Sequence, residues 1–176
     1  MPPGLGGPVE VALARATDAL PSATLARWIV IHAEADGFRL VITKAAGGVR
    51  LWSRRGNDTF PEIAGASTQL PFGSVVAGEL CAWNGSRPDF DLLTQRFGAG
   101  RARIAKMSGT SPTSFVAFDV LAAGGIDLRC RPWRIRQGVL AGLAWQPRCS
   151  RWDVTRRGLS TYLNPTRADL AFCDPT

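Results

Sequence analysis

The sequence is poor in the residue types that most catalytic and metal sites use. Among its 176 residues the only histidine is His32, and the only lysines are Lys44 and Lys106. Chemistry that needs a lysine amine therefore has two candidates. The four cysteines show no C-x-x-C spacing: Cys81, Cys130, Cys149 and Cys173. A zinc site has little support, and we expect reduced thiols, with Cys81 as a small core residue.

Long apolar runs are lacking as well. No uninterrupted apolar stretch approaches the ~18 residues of a membrane span, and the N-terminus lacks a basic region followed by an apolar core. We therefore expect a cytoplasmic protein with no membrane partner. The length and the hydrophobic fraction of 45% are typical of one globular domain with its own core.

Acidic residues are outnumbered by basic ones, 14 against 21, which leaves a net charge of +7. Nineteen of the basic residues are arginines. This surplus predicts a polyanionic partner such as nucleic acid, with an arginine-rich soluble surface as the alternative. The basic run of Arg101, Arg103 and Lys106 is interpreted as a solvated loop or helix face.

The apolar pattern predicts a strand, a sharp turn and a hairpin near the start of the chain. Residues 28–31, Trp-Ile-Val-Ile, have the β-branched character of a buried strand. Asp36-Gly37 then lets the backbone turn toward a ligand. Residues 38–44 and 49–53 follow as the two strands of a hairpin.

Two further strands are predicted. Residues 74–83 are apolar except for Glu79, and Asn84-Gly85 after them favours a two-residue hairpin. The glutamate is either functional or lies on the solvent face of an edge strand. Residues 115–121 form the next strand, and a turn at Gly124-Gly125 closes it.

Helix signals occur at three places. Thr59 and Glu62 form a capping-box pattern, with Glu62 reaching back, that opens a helix to about Thr68. Asp89 is available to cap a second helix, and Pro132 is typical of the start of a third. The apolar residues expected on the inner faces of the last two are Phe90, Leu93 and Phe97, and then Val139, Leu140 and Leu143.

The segment from Glu34 to Arg39 resembles a nucleotidyltransferase motif. Its last four residues, Asp-Gly-Phe-Arg, match the end of Lys-x-Asp-Gly-x-Arg in the adenylation domain of ATP-dependent DNA ligases of the bacterial repair type. That family seals nicks in DNA with ATP through a lysyl-AMP intermediate. Glu34 occupies the position of the AMP-accepting lysine. The resemblance therefore makes Glu34 and Asp36 the catalytic positions, with the nucleophile replaced.

Further segments resemble the same family, in the same order. They are Ser53-Arg54-Arg55-Gly56-Asn57-Asp58, Gly78-Glu79-Leu80, the strand Phe115 to Leu121 with its Phe-x-x-Phe-Asp pattern, and the connection Ile126 to Arg136. Before Gly78-Glu79-Leu80 the family has an aspartate, and this sequence has Ala77 in its place.

The resemblance implies a role for each matching residue. Gly37, Arg39, Glu79 and Phe118 would bind the nucleotide, with Phe118 stacking on adenine and Glu79 close enough to the ribose and Mg²⁺ to act as a metal ligand. A second set, Arg54 and Arg55, would contact nucleic-acid phosphate, because a guanidinium donates two hydrogen bonds to one anion. The alternative for that second set is a solvated loop.

The implied fold is α+β, an ATP-grasp-like nucleotidyltransferase domain of two antiparallel sheets with flanking helices, incomplete at the C-terminus. We expect residues 1–21 to form a lead-in, residues 22–144 a partial adenylation domain, and residues 145–176 a divergent tail. The tail lacks the family's next two motifs. A truncated or frameshifted gene, a disordered tail and a newly recruited tail all remain open as explanations.

The family implies ATP or AMP, Mg²⁺ and nicked or double-stranded DNA as ligands, and a role in DNA repair and recombination. Because Glu34 reverses the charge of the missing lysine, we expect a weak or inactive enzyme. The alternative is a non-catalytic module that binds nucleotide or DNA ends through Arg39, Arg54, Arg55 and the basic tail. An RNA ligase or capping-enzyme relative is a third hypothesis, and a separate chain supplying the missing motifs stays open.

Overall fold

The computed structural model of the chain describes residues 1–7, 37–53, 60–84, 87–143 and 152–154. The predicted strand at residues 28–31 lies outside these ranges. Within them the strands are β1 (Phe38–Ala45), β2 (Gly48–Trp52), β3 (Ser74–Cys81), β4 (Trp83–Asn84), β5 (Arg87–Pro88), β6 (Ser114–Ala123), β7 (Ile126–Asp127) and β8 (Trp152–Val154). The helices are α1 (Pro61–Ala66), the 3-10 turn Ser67–Gln69, α2 (Phe90–Thr94), α3 (Arg101–Thr110) and α4 (Trp133–Gly142).

The larger sheet has the strand order β2-β1-β3-β6-β7, and each neighbouring pair is antiparallel. β8 pairs with β6 in parallel, opposite Phe115 to Ala117. β4 and β5 form a separate two-stranded ribbon. This arrangement of antiparallel strands with helices confirms the predicted α+β class and the predicted hairpin.

One face of the sheet carries the main core. Alternate residues of β1, Leu40 and Ile42, are fully buried there, as the period of two in a strand requires. The helices pack on the same face through Ile63, Leu93 and Leu140. Each such side chain contributes about 1.5–3 kcal/mol when it leaves water, so this face holds the helices onto the sheet.

The opposite face is called here the open face. It contains a smaller apolar cluster of Val41, Val75, Ala77, Leu121 and Ala122, against which Trp52 and Phe118 pack. Leu5 belongs to this cluster and is completely buried.

The burial of Leu5 was not predicted, because residues 1–21 were expected to be only a lead-in. The Leu5 amide donates to the carbonyl of Pro2 at 3.2 Å. The Arg129 guanidinium donates to the carbonyl of Pro3 at 3.1 Å. The first bond closes a local turn, and the second, together with the burial of Leu5, holds the first residues of the chain against the sheet.

The predicted capping role of Glu62 is wrong. Helix α1 begins after Phe60, where no side chain caps the backbone, and Thr59 lies outside the described residues. Glu62 turns inward instead: its Oε1 accepts from Arg96 Nη1 at 2.6 Å and from the amide and hydroxyl of Thr113 at 3.1 and 2.9 Å. A buried arginine needs a carboxylate more than an exposed helix end does, and that competition decides where Glu62 points.

The predicted starts of the other two helices agree with the structure, but Phe90, expected on the inner face of α2, is 38% exposed, while Leu93 is buried there. Asp89 caps α2 by accepting from the Leu92 amide at 3.2 Å. Pro132 precedes α4, whose Leu140 is buried. Arg101, Arg103 and Lys106 lie exposed on α3, as expected for a solvated helix face. Cys81 is buried in the core and Cys130 is exposed. Among the described residues, no helix is long and apolar enough to cross a membrane.

Candidate functional site on the open face

The pairing of β1 with β3 brings Arg39 and Glu79 together. The antiparallel register sets Arg39 directly opposite Glu79, so both side chains project from the same face. Arg39 Nε donates to Glu79 Oε2 at 3.1 Å. The side chains keep 36% and 16% of their surface exposed, so the pair is open to a ligand from the solvent side.

Phe118 joins this pair from the next strand. The guanidinium carbon of Arg39 lies 4.6 Å from the centroid of the Phe118 ring, a cation–π distance. The register of β6 explains the position of the ring. Ala77 pairs with Asp119 and Gly78 with Ala117, which leaves Phe118 as the extra residue of a bulge. Bulges redirect side chains, and here the bulge accompanies an aromatic ring half-buried beside Arg39.

Gly37 closes the site on the β1 side. A Cβ placed on Gly37 would lie 1.8 Å from the carbonyl oxygen of Leu80 and 3.2 Å from Cγ of Glu79. Only a residue without a side chain allows this approach. The resemblance assigned Gly37, Arg39, Glu79 and Phe118 to one nucleotide site. The structure places the last three on adjoining strands and Gly37 directly before β1.

Gly78 has a related role beneath the site. A Cβ on Gly78 would lie 2.4 Å from Cζ of Phe115, and Phe115 is completely buried, as expected for a core residue. Gly78 therefore makes room for a core ring, while its neighbour Glu79 faces the open side.

Several predicted site residues cannot be placed on this face. Glu34, Asp36, Arg54 and Arg55 lie outside the described residues. Their assignment to catalysis and to phosphate binding therefore stays a prediction.

Two residues of α4 contact β6 at Phe118 and Asp119, and neither was assigned a role from the sequence. Arg136 forms a two-pronged ion pair with Asp119, Nε to Oδ1 at 2.8 Å and Nη2 to Oδ2 at 3.0 Å. Gln137 Nε2 donates to the Phe118 carbonyl at 2.7 Å. A signal was present, because Asp119 and Arg136 are both polar positions of the segments that resemble the ligase family.

A further arginine–carboxylate pair joins Asp127 at the end of β7 to Arg129 in the turn that follows. The side-chain hydrogen bond from Arg129, followed by that from its backbone amide, lowers the pKa of Asp127. The same partner raises the pKa of Arg129. Because Arg129 also holds the carbonyl of Pro3, this pair ties the turn to the N-terminal residues.

The described part of the chain contains no group of three or more histidine, cysteine, aspartate or glutamate residues that could hold a metal ion. Glu79 is the carboxylate beside Arg39 and Phe118. A metal on this face would therefore need oxygen ligands from a bound substrate or from residues outside the described ranges.

Comparison with known protein families identifies the family of this chain. The family described as "ATP dependent DNA ligase domain" matches residues 12–158, a range that includes every residue of the site. The chain belongs to this ligase family. DNA ligase C of Mycobacterium tuberculosis is 30% identical over 93% of the chain, which spans 44% of that protein. DNA ligase C2 of Mycolicibacterium smegmatis is 35% identical over 60% of the chain and 31% of its own length.

The chain thus spans less than half the length of these ligases. Among solved structures, the ligase domain of LigD from M. tuberculosis shares 27% identity, with a TM-score of 0.46 over 64% of this chain and 35% of that one.

Proposed function

We propose that the open face binds an adenine nucleotide, the first step of ATP-driven nick sealing by a DNA ligase. The observation that carries this proposal is the grouping of Arg39, Glu79 and Phe118 on three adjacent strands. An aromatic ring, a guanidinium and a carboxylate together suit a purine, a phosphate or ribose oxygen, and a ribose hydroxyl. The residues present therefore fit a nucleoside triphosphate.

Each residue has a separate task in this proposal. The Phe118 ring supplies a stacking surface for the base. Arg39 donates hydrogen bonds and shields Phe118 until the nucleotide arrives, since its guanidinium already lies over the ring. Glu79 orients Arg39 through their salt bridge and accepts from the ribose. Gly37, which has no side chain, lets the start of β1 lie close against Leu80 of β3. ATP, when bound, supplies the activated phosphate.

Mg²⁺ belongs to the same proposal, with Glu79 as its protein ligand. Magnesium sites commonly use one or two carboxylates together with substrate phosphates, and Glu79 is a carboxylate in a suitable place on this face. The salt bridge with Arg39 would have to open for Glu79 to accept a metal. We assign no step of the reaction to the metal.

We further propose that the covalent step is weak or absent. A glutamate at position 34 offers no amine for a phosphoramidate bond, and it repels a triphosphate. Lys44 is five residues beyond Arg39 along β1, roughly 17 Å at ~3.3 Å per residue. Lys106 lies exposed on α3. Neither lysine replaces an amine at position 34.

Two measurements test these proposals. Equilibrium titration with ATP, GTP and inorganic triphosphate should show binding that is tightest for ATP. Equal affinities for ATP and triphosphate would refute the purine site, and equal affinities for ATP and GTP would refute the selection of adenine. Incubation with α-labelled ATP and Mg²⁺, followed by denaturing electrophoresis, should leave no label on the protein. A covalent AMP on Lys44 or Lys106 would overturn the inactive-nucleophile proposal.

The variant Glu34→Lys sharpens the second measurement. Because a unit charge ~4 Å from a phosphate is worth about 4 kcal/mol at an effective dielectric near 20, reversing its sign should tighten ATP binding. Lysyl-AMP should reach at most a trace, because the tail lacks the family's later carboxylate and lysines. Efficient nick sealing by this variant would show that residues 145–176 contain working equivalents of that carboxylate and those lysines.

A non-catalytic nucleotide- or DNA-end-binding module is the second candidate, and the charge of the chain favours it. The net charge is +7, and α3 exposes Arg101, Arg103 and Lys106. In this proposal Arg54 and Arg55 contact phosphate of nicked or double-stranded DNA. Affinity should fall steeply as salt increases, because binding releases counterions; binding that ignores salt would remove the nucleic-acid proposal.

The proposed function also implies a division of the chain into three regions. We propose a lead-in of residues 1–21, an adenylation region of residues 22–144 and a separate tail of residues 145–176. A location in the cytoplasm, where ATP and DNA occur, and a partner chain that supplies the missing motifs are further parts of the hypothesis. Sedimentation of the chain with and without nicked DNA would reveal whether it binds DNA as a single chain.

A further inference from the structure

Helix α4 contacts β6 between the two described partners of that strand, β8 and β7. β8 pairs with Phe115 to Ala117, and β7 pairs with Ala122 and Ala123. Phe118 lies in the interval between these two partners, and it is also the extra residue of the bulge against β3. A bulged residue lacks its regular ladder partners, so its backbone needs another source of hydrogen bonds.

Two consecutive side chains of α4 supply these contacts. Gln137 donates to the Phe118 carbonyl at 2.7 Å. Arg136 holds both oxygens of Asp119, the next residue, at 2.8 and 3.0 Å. Asp119 Oδ1 also accepts from the Val120 amide at 2.9 Å. The bulge is therefore fixed on the carbonyl of Phe118 and on the side chain that follows it.

The helix that carries these side chains is itself held in place. Leu140 is 2% exposed within the main core, and Val139 and Leu143 pack against that core. Arg136 Nη1 also donates to the carbonyl of Arg131 at 2.6 Å, which ties the start of α4 to the connection before it. A helix anchored in this way transmits its position to the β6 backbone.

We propose that Arg136 and Gln137 are positioning residues that set the Phe118 ring for stacking on the nucleotide base. This inference rests on the proposed adenine-nucleotide function of the open face. Neither side chain is proposed to touch the nucleotide. Gln137 fixes the backbone from which the Phe118 ring projects, and Arg136 keeps Asp119 turned toward α4. The pair thereby controls recognition of the base and leaves the phosphate contacts unchanged.

The first test measures ring position without any nucleotide. The protein is labelled with fluorophenylalanine, and the Phe118 resonance in the ¹⁹F spectrum is assigned by its loss in Phe118→Leu. Gln137→Glu keeps the shape of the side chain but replaces the donating amide by a carboxylate, so the Phe118 resonance should shift. Gln69→Glu, on an exposed glutamine of the 3-10 turn, makes the same chemical change and should leave it in place.

The second test separates base recognition from phosphate binding. Gln137→Glu should weaken ATP binding about tenfold, the equivalent of one lost hydrogen bond near 1.4 kcal/mol, while the affinity for inorganic triphosphate stays unchanged. Arg136→Lys, which keeps the charge but loses the two-pronged geometry, should also weaken ATP alone. Arg103→Lys on the exposed face of α3 is its matched control.

The outcomes distinguish this inference from the proposed function. An unshifted Phe118 resonance in Gln137→Glu overturns the positioning of the ring. A shifted resonance with equal losses for ATP and triphosphate overturns its role in base recognition. If the unmodified chain binds ATP no better than triphosphate, the proposed function fails, and the ¹⁹F comparison still decides whether α4 holds the ring. A fall in the unfolding midpoint that accounts for the lost affinity would reduce Gln137 to a structural residue.

Discussion

Two groups of side chains in this molecule each consist of an arginine, a glutamate and a phenylalanine, but they differ in burial. In the interior, Arg96 binds Glu62, with its guanidinium carbon 5.5 Å from the centroid of the Phe60 ring. On the open face, Arg39 binds Glu79, and its guanidinium carbon lies 4.6 Å from the Phe118 ring. The side chains of the interior pair are 0% and 4% exposed, and those of the open-face pair are 36% and 16% exposed.

The interior group is held by several hydrogen bonds. Arg96 donates to Glu62 and to the carbonyls of Met107 and Ser111, and Glu62 Oε1 accepts twice more from Thr113. Desolvated charges require such bonds, so the interior group joins α1, α2 and α3 to the start of β6. Arg39 and Glu79 remain partly hydrated and can exchange water for a ligand. The same three residue types thus form a structural joint in one place and a candidate binding site in the other.

The largest expected effect comes from breaking the interior pair. Arg96→Met leaves the Glu62 carboxylate buried without its charge partner, and we expect a loss of about 3–5 kcal/mol in the free energy of unfolding. Urea unfolding followed by circular dichroism measures this loss. Arg39→Met is the matched variant on the open face and should lose far less. The double variant Glu62→Leu/Arg96→Met should recover part of the loss, since no lone charge remains; equal losses in Arg96→Met and Arg39→Met would abolish the distinction.

Gly37→Ala tests the packing beside the open-face pair. The new Cβ would lie 1.8 Å from the Leu80 carbonyl oxygen, so β1 and β3 must separate locally. We expect a loss of about 1–3 kcal/mol in unfolding free energy, as for other overpacked sites, together with weaker ATP binding. Gly47→Ala, where a Cβ meets no atom within 4 Å, is the control. Unchanged stability and ATP affinity in Gly37→Ala would refute this account of the glycine.

Glu79→Gln sharpens the functional side of the comparison. The Arg39–Glu79 pair is only part-buried, so the free energy of unfolding should fall by less than in Arg96→Met. ATP affinity should nevertheless fall, because Arg39 loses the carboxylate that orients it. Urea unfolding and ATP titration on the same sample check both statements. Glu62→Gln should show the reverse order, a larger loss of stability with ATP affinity preserved in the folded fraction.

The exposed pair of Asp127 and Arg129 extends the comparison to the smallest effect. Arg129 lowers the pKa of Asp127, so the carboxylate stabilises the fold at pH values above its unfolded pKa of about 3.9. That contribution is lost as the pH falls through the lower pKa of the folded state. Asp127→Asn should therefore change stability slightly at pH 7 and flatten its decline below about pH 4. Urea midpoints measured across this range test it; an unchanged acid slope would contradict it.

Much of the site was predictable from the sequence because its parts lie in strands with strong local patterns. The hairpin of β1 and β2 follows from alternation and a turn, and the glutamate inside an apolar strand identified Glu79 as a residue that needs an explanation. The resemblance to ligases then grouped Gly37, Arg39, Glu79 and Phe118, and family membership is confirmed by the match over residues 12–158. Glu34 and Asp36 stay predictions, since they lie outside the described residues.

The sequence by itself determined the hairpin of β1 and β2, the strands β3 and β6, the replacement of lysine by Glu34 and the arginine-rich charge, because these depend on residue identity and on neighbours close along the chain. The Asp36-Gly37 turn and the strand at residues 28–31 stay predictions, since residues 8–36 lie outside the described residues. Only the tertiary structure decided that Glu62 binds Arg96 and does not cap its own helix. It also decided that Leu5 packs on the open face and that α4 binds the Phe118 bulge. These contacts, with the Arg129–Pro3 bond, join residues 17 to 126 positions apart. Such contacts depend on strand register and on competition for buried partners, which local patterns do not encode.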